Sequence, residues 1–297
     1  MTCPFLKEAQ VKYCRIATVR KLIPLAQTGR TEEKCTSADH RACKVFQSQP
    51  PVDGAAAAGP CPYLCESLMQ YCAAAPVAKL VPYSESLISR CGNDRYRYCE
   101  LYFSMAHPTA PAGEEVDGIA MPDRLLYAPN HMWLDMSEDG VCHVGIDAFL
   151  SRVLGRVDRL TYVQQKGSQR PAAVLTVAGI DLEVMFPNRM LLTGCNLYLR
   201  ANLSRLSDEP YTAGWLFEGE ASPETVEHLL QDAEARQWME QEQRRMTEFL
   251  QQEQSEQEPT MGDGGVFAPG VAHRLDPDRA RVLFHRFFSP YAGGKRV

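Results

Sequence analysis

Short apolar or alternating runs, set between turn residues, fill the stretch from Leu125 to Glu218. Val144–Ile146, Leu160–Val163, Ala173–Val177, Leu182–Phe186 and Leu197–Leu199 are such runs, and their length predicts β-strands. Ser222-Pro223-Glu224 reads as a helix start, with a capping serine, a proline at the first helical position and an acidic first turn. Val226, Leu229, Leu230 and Ala233 follow at helical spacing, which predicts a helix running to about Gln252. Residues 253–275 are polar and glycine-rich, the pattern of a flexible tether. Asp276-Pro277 opens a last short amphipathic helix in 276–297, carrying Leu283, Phe284, Phe287 and Phe288. Near the N-terminus, Phe5, Leu6, Ala9, Val11 and Tyr13 surround Cys14, and Leu64, Leu68, Met69 and Tyr71 precede Cys72, which predicts small helices.

The first hundred residues are a tandem repeat. Cys3-Pro4-Phe5-Leu6 matches Cys61-Pro62-Tyr63-Leu64, and Tyr13-Cys14 matches Tyr71-Cys72, both at an offset of 58. Lys21-Leu22-Ile23-Pro24 matches Lys79-Leu80-Val81-Pro82 at the same offset. After a two-residue indel, Cys35 and Cys43 match Cys91 and Cys99. The repeats span 1–46 and 61–105. A Pro-, Ala- and Gly-rich linker, 47–60, joins them, and a second linker, 106–123, follows.

Composition changes this picture mainly through cysteine. The chain has 297 residues, 45% hydrophobic and 23% charged, as a soluble globular protein of two domains would. It has 11 cysteines, nine of them within residues 1–99. No apolar run is long enough to span a bilayer, and the N-terminal residues do not read as a signal peptide, so the expected compartment is cytoplasmic. In a reducing compartment, crowded cysteines point to metal binding or redox chemistry before disulfides. Residues 1–105 carry a net charge of +4 and the rest −10, too little positive charge to favour a nucleic-acid partner.

Four thiolates per repeat can hold one tetrahedral metal ion or one iron–sulfur cluster. Keeping all four through the duplication favours two equivalent sites, Cys3, Cys14, Cys35, Cys43 and Cys61, Cys72, Cys91, Cys99. Neither set has the short Cys-x2–4-Cys knuckle usual for structural zinc, and wide spacing suits a 4Fe–4S-type cluster. Zinc is the alternative, and buried thiols or disulfides a third. Each repeat has little apolar mass and is expected to need its metal to fold. Cys65 has no counterpart, since Lys7 stands at that offset. As a reactive thiol it lacks an evident base.

From about 125 to 245 the sequence resembles the H protein of the glycine cleavage system, a lipoyl-carrier-type fold. Tyr127…His131-Met132-Trp133-Leu134, Gly140-Val141-Cys142-His143-Val144-Gly145-Ile146 and Val153-Leu154-Gly155 carry the likeness. Glu209-Pro210-Tyr211-Thr212-Ala213-Gly214-Trp215 is its most specific segment, and Leu229–Ala235 resembles the family's C-terminal helix. The resemblance implies a flattened lipoyl-type β-barrel or sandwich with flanking helices over 124–252. The whole chain is then an α+β multidomain protein, with small α-helical cysteine-rich repeats ahead of that domain. The family carries lipoate on a hairpin lysine. Aligning on Ala173-Val174, Pro187 and Asn196 puts Gly179 there, and Leu175–Asp181 contains no lysine, so no lipoate is expected.

Other motifs are set aside. Gly262-Asp263-Gly264-Gly265 lacks the context of a phosphate loop, and no Gly-x-Ser-x-Gly elbow or His-Glu-x-x-His motif occurs. His131 and His143 are read as structural, Cys142 and Cys195 as core thiols, and Glu224, Glu227, Glu234, Glu240 and Glu242 as a solvated helix face. Phe284, Phe287 and Phe288 either fold back on the domain or dock a partner, and are taken as candidate partner-docking residues. The expectation is a non-enzymatic redox or metal-binding adaptor with two iron–sulfur clusters for electron relay or redox sensing, docking a larger complex or redox enzyme. The alternative is a zinc-binding regulatory or nucleic-acid-binding protein.

Overall fold

The computed structural model describes residues 2–17, 23–24, 34–50, 59–77, 79–81, 90–109, 112–163, 168–252 and 267–290. Most of the linker 47–60 and of the tether 253–275 lies outside them. The chain divides into two compact units, Met1–Met105 and Ala106–Val297.

The first unit is built on strands, where small helices were expected around the cysteines. Strand β1 (Leu6–Cys14) pairs with β3 (Leu64–Cys72), and β2 (Ile23–Pro24) and β4 (Lys79–Val81) flank them in one antiparallel sheet of order β2-β1-β3-β4. The cause is a period of two in Leu-Lys-Glu-Ala-Gln-Val-Lys-Tyr-Cys. Ala9, Val11 and Tyr13 share one face, with Val11 buried, while Glu8, Gln10 and Lys12 share the other. On that polar face Gln70 donates to Glu8 at 3.1 Å and Lys12 pairs with Glu66 at 3.2 Å. Among its described residues, the helical content of this unit is short 3-10 turns, α1 (Lys44–Gln47) and α2 (Glu100–Ala106).

The second unit is mixed α/β with several antiparallel sheets. A hairpin, β5 (Gly113–Val116) and β6 (Ile119–Pro122), precedes β7 (Leu126–Ala128), β8 (Met132–Met136) and β9 (Val141–Ile146). Helix α3 (Ala148–Leu154) starts where the Asp147 carboxylate accepts from the Leu150 amide at 2.8 Å. Then come β10 (Arg159–Val163), β11 (Ser168–Gln169), β12 (Ala172–Val177), β13 (Ile180–Met185), β14 (Met190–Cys195), α4 (Arg205–Asp208) and β15 (Phe217–Glu220). Three strands form a sheet of order β10-β12-β13, and six form one of order β11-β14-β15-β9-β8-β7. The two sheets meet where Tyr162 of β10 packs on Phe217 of β15, ring centroids 5.6 Å apart. Both sheets end in edge strands, so no closed barrel forms among the described residues.

The residues that carried the family likeness act as ties within this unit. Trp133 lies against Gly145, where a Cβ would stand 2.5 Å from the indole, and its Nε1 donates to the carbonyls of Ile146 and Pro210. Tyr211 donates to the Ala120 carbonyl and accepts from the Ala148 amide. Asn196 donates to the Ala213 and Trp215 carbonyls. Residues 197–199, expected as a strand, form a 3-10 turn instead, because Asn196 ends β14 with those bonds.

The long helix α5 spans Asp232–Gln252, not 222–252. Pro223–Thr225 is a single 3-10 turn, and His228 and Asp232 hold left-handed backbone angles, φ 59° and 48°, which no continuous helix accepts. Leu230 instead bridges Tyr127 through two 2.8 Å backbone bonds. The last helix, α6 (Pro277–Phe287), is capped by Asp276. Among the described residues no helix is long and apolar enough to cross a membrane.

Candidate metal centre

The register of β1 on β3 fixes how the cysteines meet. Gln10 stands opposite Leu68, its own counterpart in the repeat. A pseudo-twofold axis therefore passes through that pair. Leu6 faces Cys72 at one end of the ladder, and Cys14 faces Leu64 at the other. The flanking strands obey the same relation: Lys12 faces Ile23 as Gln70 faces Val81.

This arrangement sets the leading and second cysteines of each repeat far apart. An extended strand rises about 3.3 Å per residue, so Leu6 and Cys14 stand roughly 26 Å apart. Cys3 sits on the turn that leads into Leu6, closed by the Leu6 amide donating to the Cys3 carbonyl at 3.0 Å. Cys3 and Cys14 are thus at opposite ends of the ladder. Had β1 been helical, the same eight steps would have covered only about 12 Å. Cys3 instead meets the other repeat: its amide donates to the Cys91 carbonyl at 2.8 Å. The mirrored bond runs from the Cys61 amide to the Cys35 carbonyl, also 2.8 Å.

Around Cys3 four thiols share one electrostatic environment. Cys3 and Cys72 are buried, and Cys91 packs against the small core that includes Cys72. Burial pushes the Cys3 thiol up, bonds from the Phe5 and Leu6 amides pull it down, and Cys99 and Cys72 push it up again. The Cys91 thiol is raised by burial first, then by Cys3, Cys99 and Cys72, with Lys79 opposing. Cys99 opens α2, and Cys43 holds the matching place before α1. Their amides accept the same roles, donating at 3.0 Å to the carbonyls of Tyr96 and His40.

The donor set, soft thiols with amides aimed at a sulfur, suits zinc or iron–sulfur ligation. As placed, however, no three His, Cys, Asp or Glu side chains among the described residues stand in an arrangement that holds a metal ion. No disulfide is formed among the described cysteines. Cys65 faces Tyr13, on the opposite side of the sheet from Cys14 and Cys72. Cys142 is fully buried, its thiol pushed up to about 12 mainly by burial and its Sγ 3.5 Å from the Gly219 carbonyl. Burial also raises the Cys195 thiol.

In the second unit, Gly179 is at the tip of the β12–β13 hairpin. Ala178 and Gly179 both have positive φ, 50° and 79°, forming the two-residue turn. The tip is exposed and carries no amine.

The second unit also holds a buried titratable cluster that no local sequence motif marks. His131 is fully buried and its Nδ1 donates to Asp147 at 2.8 Å, with Glu242 of α5 at 3.7 Å from Nε2. Burial alone would lower this imidazole, but Asp147 and Glu242 outweigh it and hold it up to about 9. Its ring stacks on Phe149 at 4.2 Å and touches Trp238 and Phe288. Glu242 was expected on a solvated face. Its spacing from the buried Ala235, Met239, Met246 and Phe249 places it on the inner stripe of α5, the signal that could have found it. Arg245 pairs with Glu242 and covers the Phe287 ring. Phe284, Phe287 and Phe288 are buried in this unit's own core, so the docking surface expected of them is not exposed.

No protein-family model matches the chain. It is similar to the glycine cleavage system H protein of Hydrogenovibrio crunogenus, 27% identical over 101 residues, covering 33% of this chain and 78% of that protein. It is also similar to the H protein of Salmonella paratyphi C, 29% identical over 118 residues, covering 39% and 92%. Among solved structures, an H protein from Mycobacterium marinum matches 41% of this chain and 98% of its own, at 19% identity and a TM-score of 0.36. The sequence similarities identify an H-protein-like domain over part of the chain.

Proposed function

We propose that this protein is a non-enzymatic redox adaptor. Its N-terminal unit carries two cysteine-ligated iron–sulfur clusters, and its H-protein-like domain, without lipoate, docks a larger complex or redox enzyme. The observation that supports the reading is the backbone bond that ties Cys3 to Cys91 of the other repeat, beside the buried Cys72 and the half-buried Cys99, repeated between Cys61 and Cys35. A bound cluster would accept and release an electron. The chain's own part is to supply thiolates, exclude water through Phe5, Leu6 and Leu101, and steady the Cys3 sulfur with the Phe5 and Leu6 amides. The lipoyl route is set aside on chemistry, since acylation needs an amine and the hairpin offers Ala178-Gly179.

The test is metal and acid-labile sulfide analysis of full-length protein purified without oxygen. Iron and sulfide at about four each per centre, with visible absorption that bleaches on reduction, support the proposal. Two zinc ions without sulfide overturn the redox role and make the cysteine unit structural.

A further inference from the structure

We propose that the two centres are crossed between the repeats. One takes Cys3 from the first repeat with Cys72, Cys91 and Cys99 from the second. The other takes Cys61 from the second with Cys14, Cys35 and Cys43 from the first. This rests on reading the cysteine unit as two four-thiolate centres.

Three independent features converge on it. The first is the ladder: nine-residue strands paired over their full length separate Cys3 from Cys14 and Cys61 from Cys72. No ion or cluster bridges such a span, because a metal–sulfur bond is only about 2.3 Å. The second is the backbone. Each repeat's leading cysteine bonds the other repeat's third cysteine, Cys3 to Cys91 and Cys61 to Cys35. Around these bonds the Ala73 amide reaches the Phe5 carbonyl at 2.8 Å, and the Arg15 amide reaches Tyr63 at 3.1 Å. The chain just past Cys72 is therefore held beside Cys3, and the chain just past Cys14 beside Cys61. The third is the aromatic frame. Phe5 packs on Tyr102 at 6.2 Å, and in the mirrored half Tyr63 packs on Phe46 at 6.0 Å. Tyr96 meets Tyr102 at 4.9 Å as His40 meets Phe46 at 4.8 Å.

The crossing has a chemical consequence. Neither repeat holds four ligands for one centre, so one repeat alone cannot bind a metal with four thiolates. The centres lie at opposite ends of one ladder and are separate, not a shared cluster.

Double variants of the full-length chain distinguish the two assignments. Crossed centres predict that Cys3→Ser/Cys72→Ser and Cys14→Ser/Cys61→Ser each keep half the wild-type metal. Cys3→Ser/Cys14→Ser and Cys61→Ser/Cys72→Ser then keep almost none. The reverse pattern overturns the crossing. A second measurement needs no variant. The unaltered chain, stripped with chelator and oxidised with diamide, is digested and its disulfides mapped by mass spectrometry. Linkage of Cys3 to Cys72, Cys91 or Cys99 supports the crossing, and linkage to Cys14, Cys35 or Cys43 overturns it. This mapping decides the matter even if all four variants lose their metal. It also stands apart from the metal-binding reading, which fails separately if the wild-type protein binds no metal.

Discussion

At the scale of single residues, His131 sits at the centre of a buried charged cluster in the second unit. Asp147 and Glu242 flank the imidazole in a site lined by Phe149, Trp238 and Phe288, and Arg245 in turn pairs with Glu242. A histidine held up to about 9, above its ordinary 6.5, stabilises the fold while it is protonated. That contribution is complete below about 6.5 and is lost as pH rises through 9. Glu242 is the opposite case: burial pushes it up, but His131 and Arg245 bring it below its ordinary 4.5. Its contribution is complete above 4.5 and lost at lower pH. The second unit is therefore most stable between these ordinary values. All three tryptophans, Trp133, Trp215 and Trp238, lie in this unit, so their fluorescence follows its unfolding. Denaturant titrations should show stability falling from pH 6.5 to 9 by on the order of 3 kcal/mol. His131→Gln should flatten that slope, and an unchanged slope would assign it to other groups.

Among the elements, α6 decides how the C-terminal segment is read. Its three phenylalanines stood out in the sequence because a short apolar helix must cover its face somewhere. The pattern could not say whether its own chain or a partner does so, since both satisfy the same hydrophobicity. The structure buries Phe287 completely against Phe249 at 6.0 Å, beneath Arg245. Phe287→Ala should cost the second unit about 3–5 kcal/mol in denaturant unfolding. A loss below 1 kcal/mol would return the helix to a docking role. The start of α5 was misread for a related reason: Leu229 and Leu230 fit a helical stripe, yet Leu230 pairs in extended backbone with Tyr127. Strands β9, β10, β12 and β13 were legible because their apolar runs are bounded by turns. Strands β1 and β3 were not, since their alternation is diluted by half-buried polar residues.

For the whole molecule, the repeat showed which residues were special but not which of them belong together. Offsets of 58 and, after the indel, 56 pair the eight repeated cysteines with their counterparts and are silent on strand direction. Antiparallel pairing about Gln10 and Leu68 then turns two copies into one interlocked unit. A local defect at that axis should therefore have a global effect. Gln10→Pro places a residue without an amide hydrogen in the middle of β1, a strand paired on both sides, where the sheet cannot accommodate it. If each repeat were a self-contained metal unit, the damage would stay in the first, and half the metal would remain. In the interlocked arrangement β1 leads from the Cys3 end to the Cys14 end, so both centres depend on it. The full-length Gln10→Pro variant, purified without oxygen, should lose metal from both centres, while tryptophan fluorescence and denaturant midpoint of the second unit stay at wild-type values. Retention of half the metal would restore the independent-repeat picture. An equal loss in the second unit would mean that the two units do not fold separately.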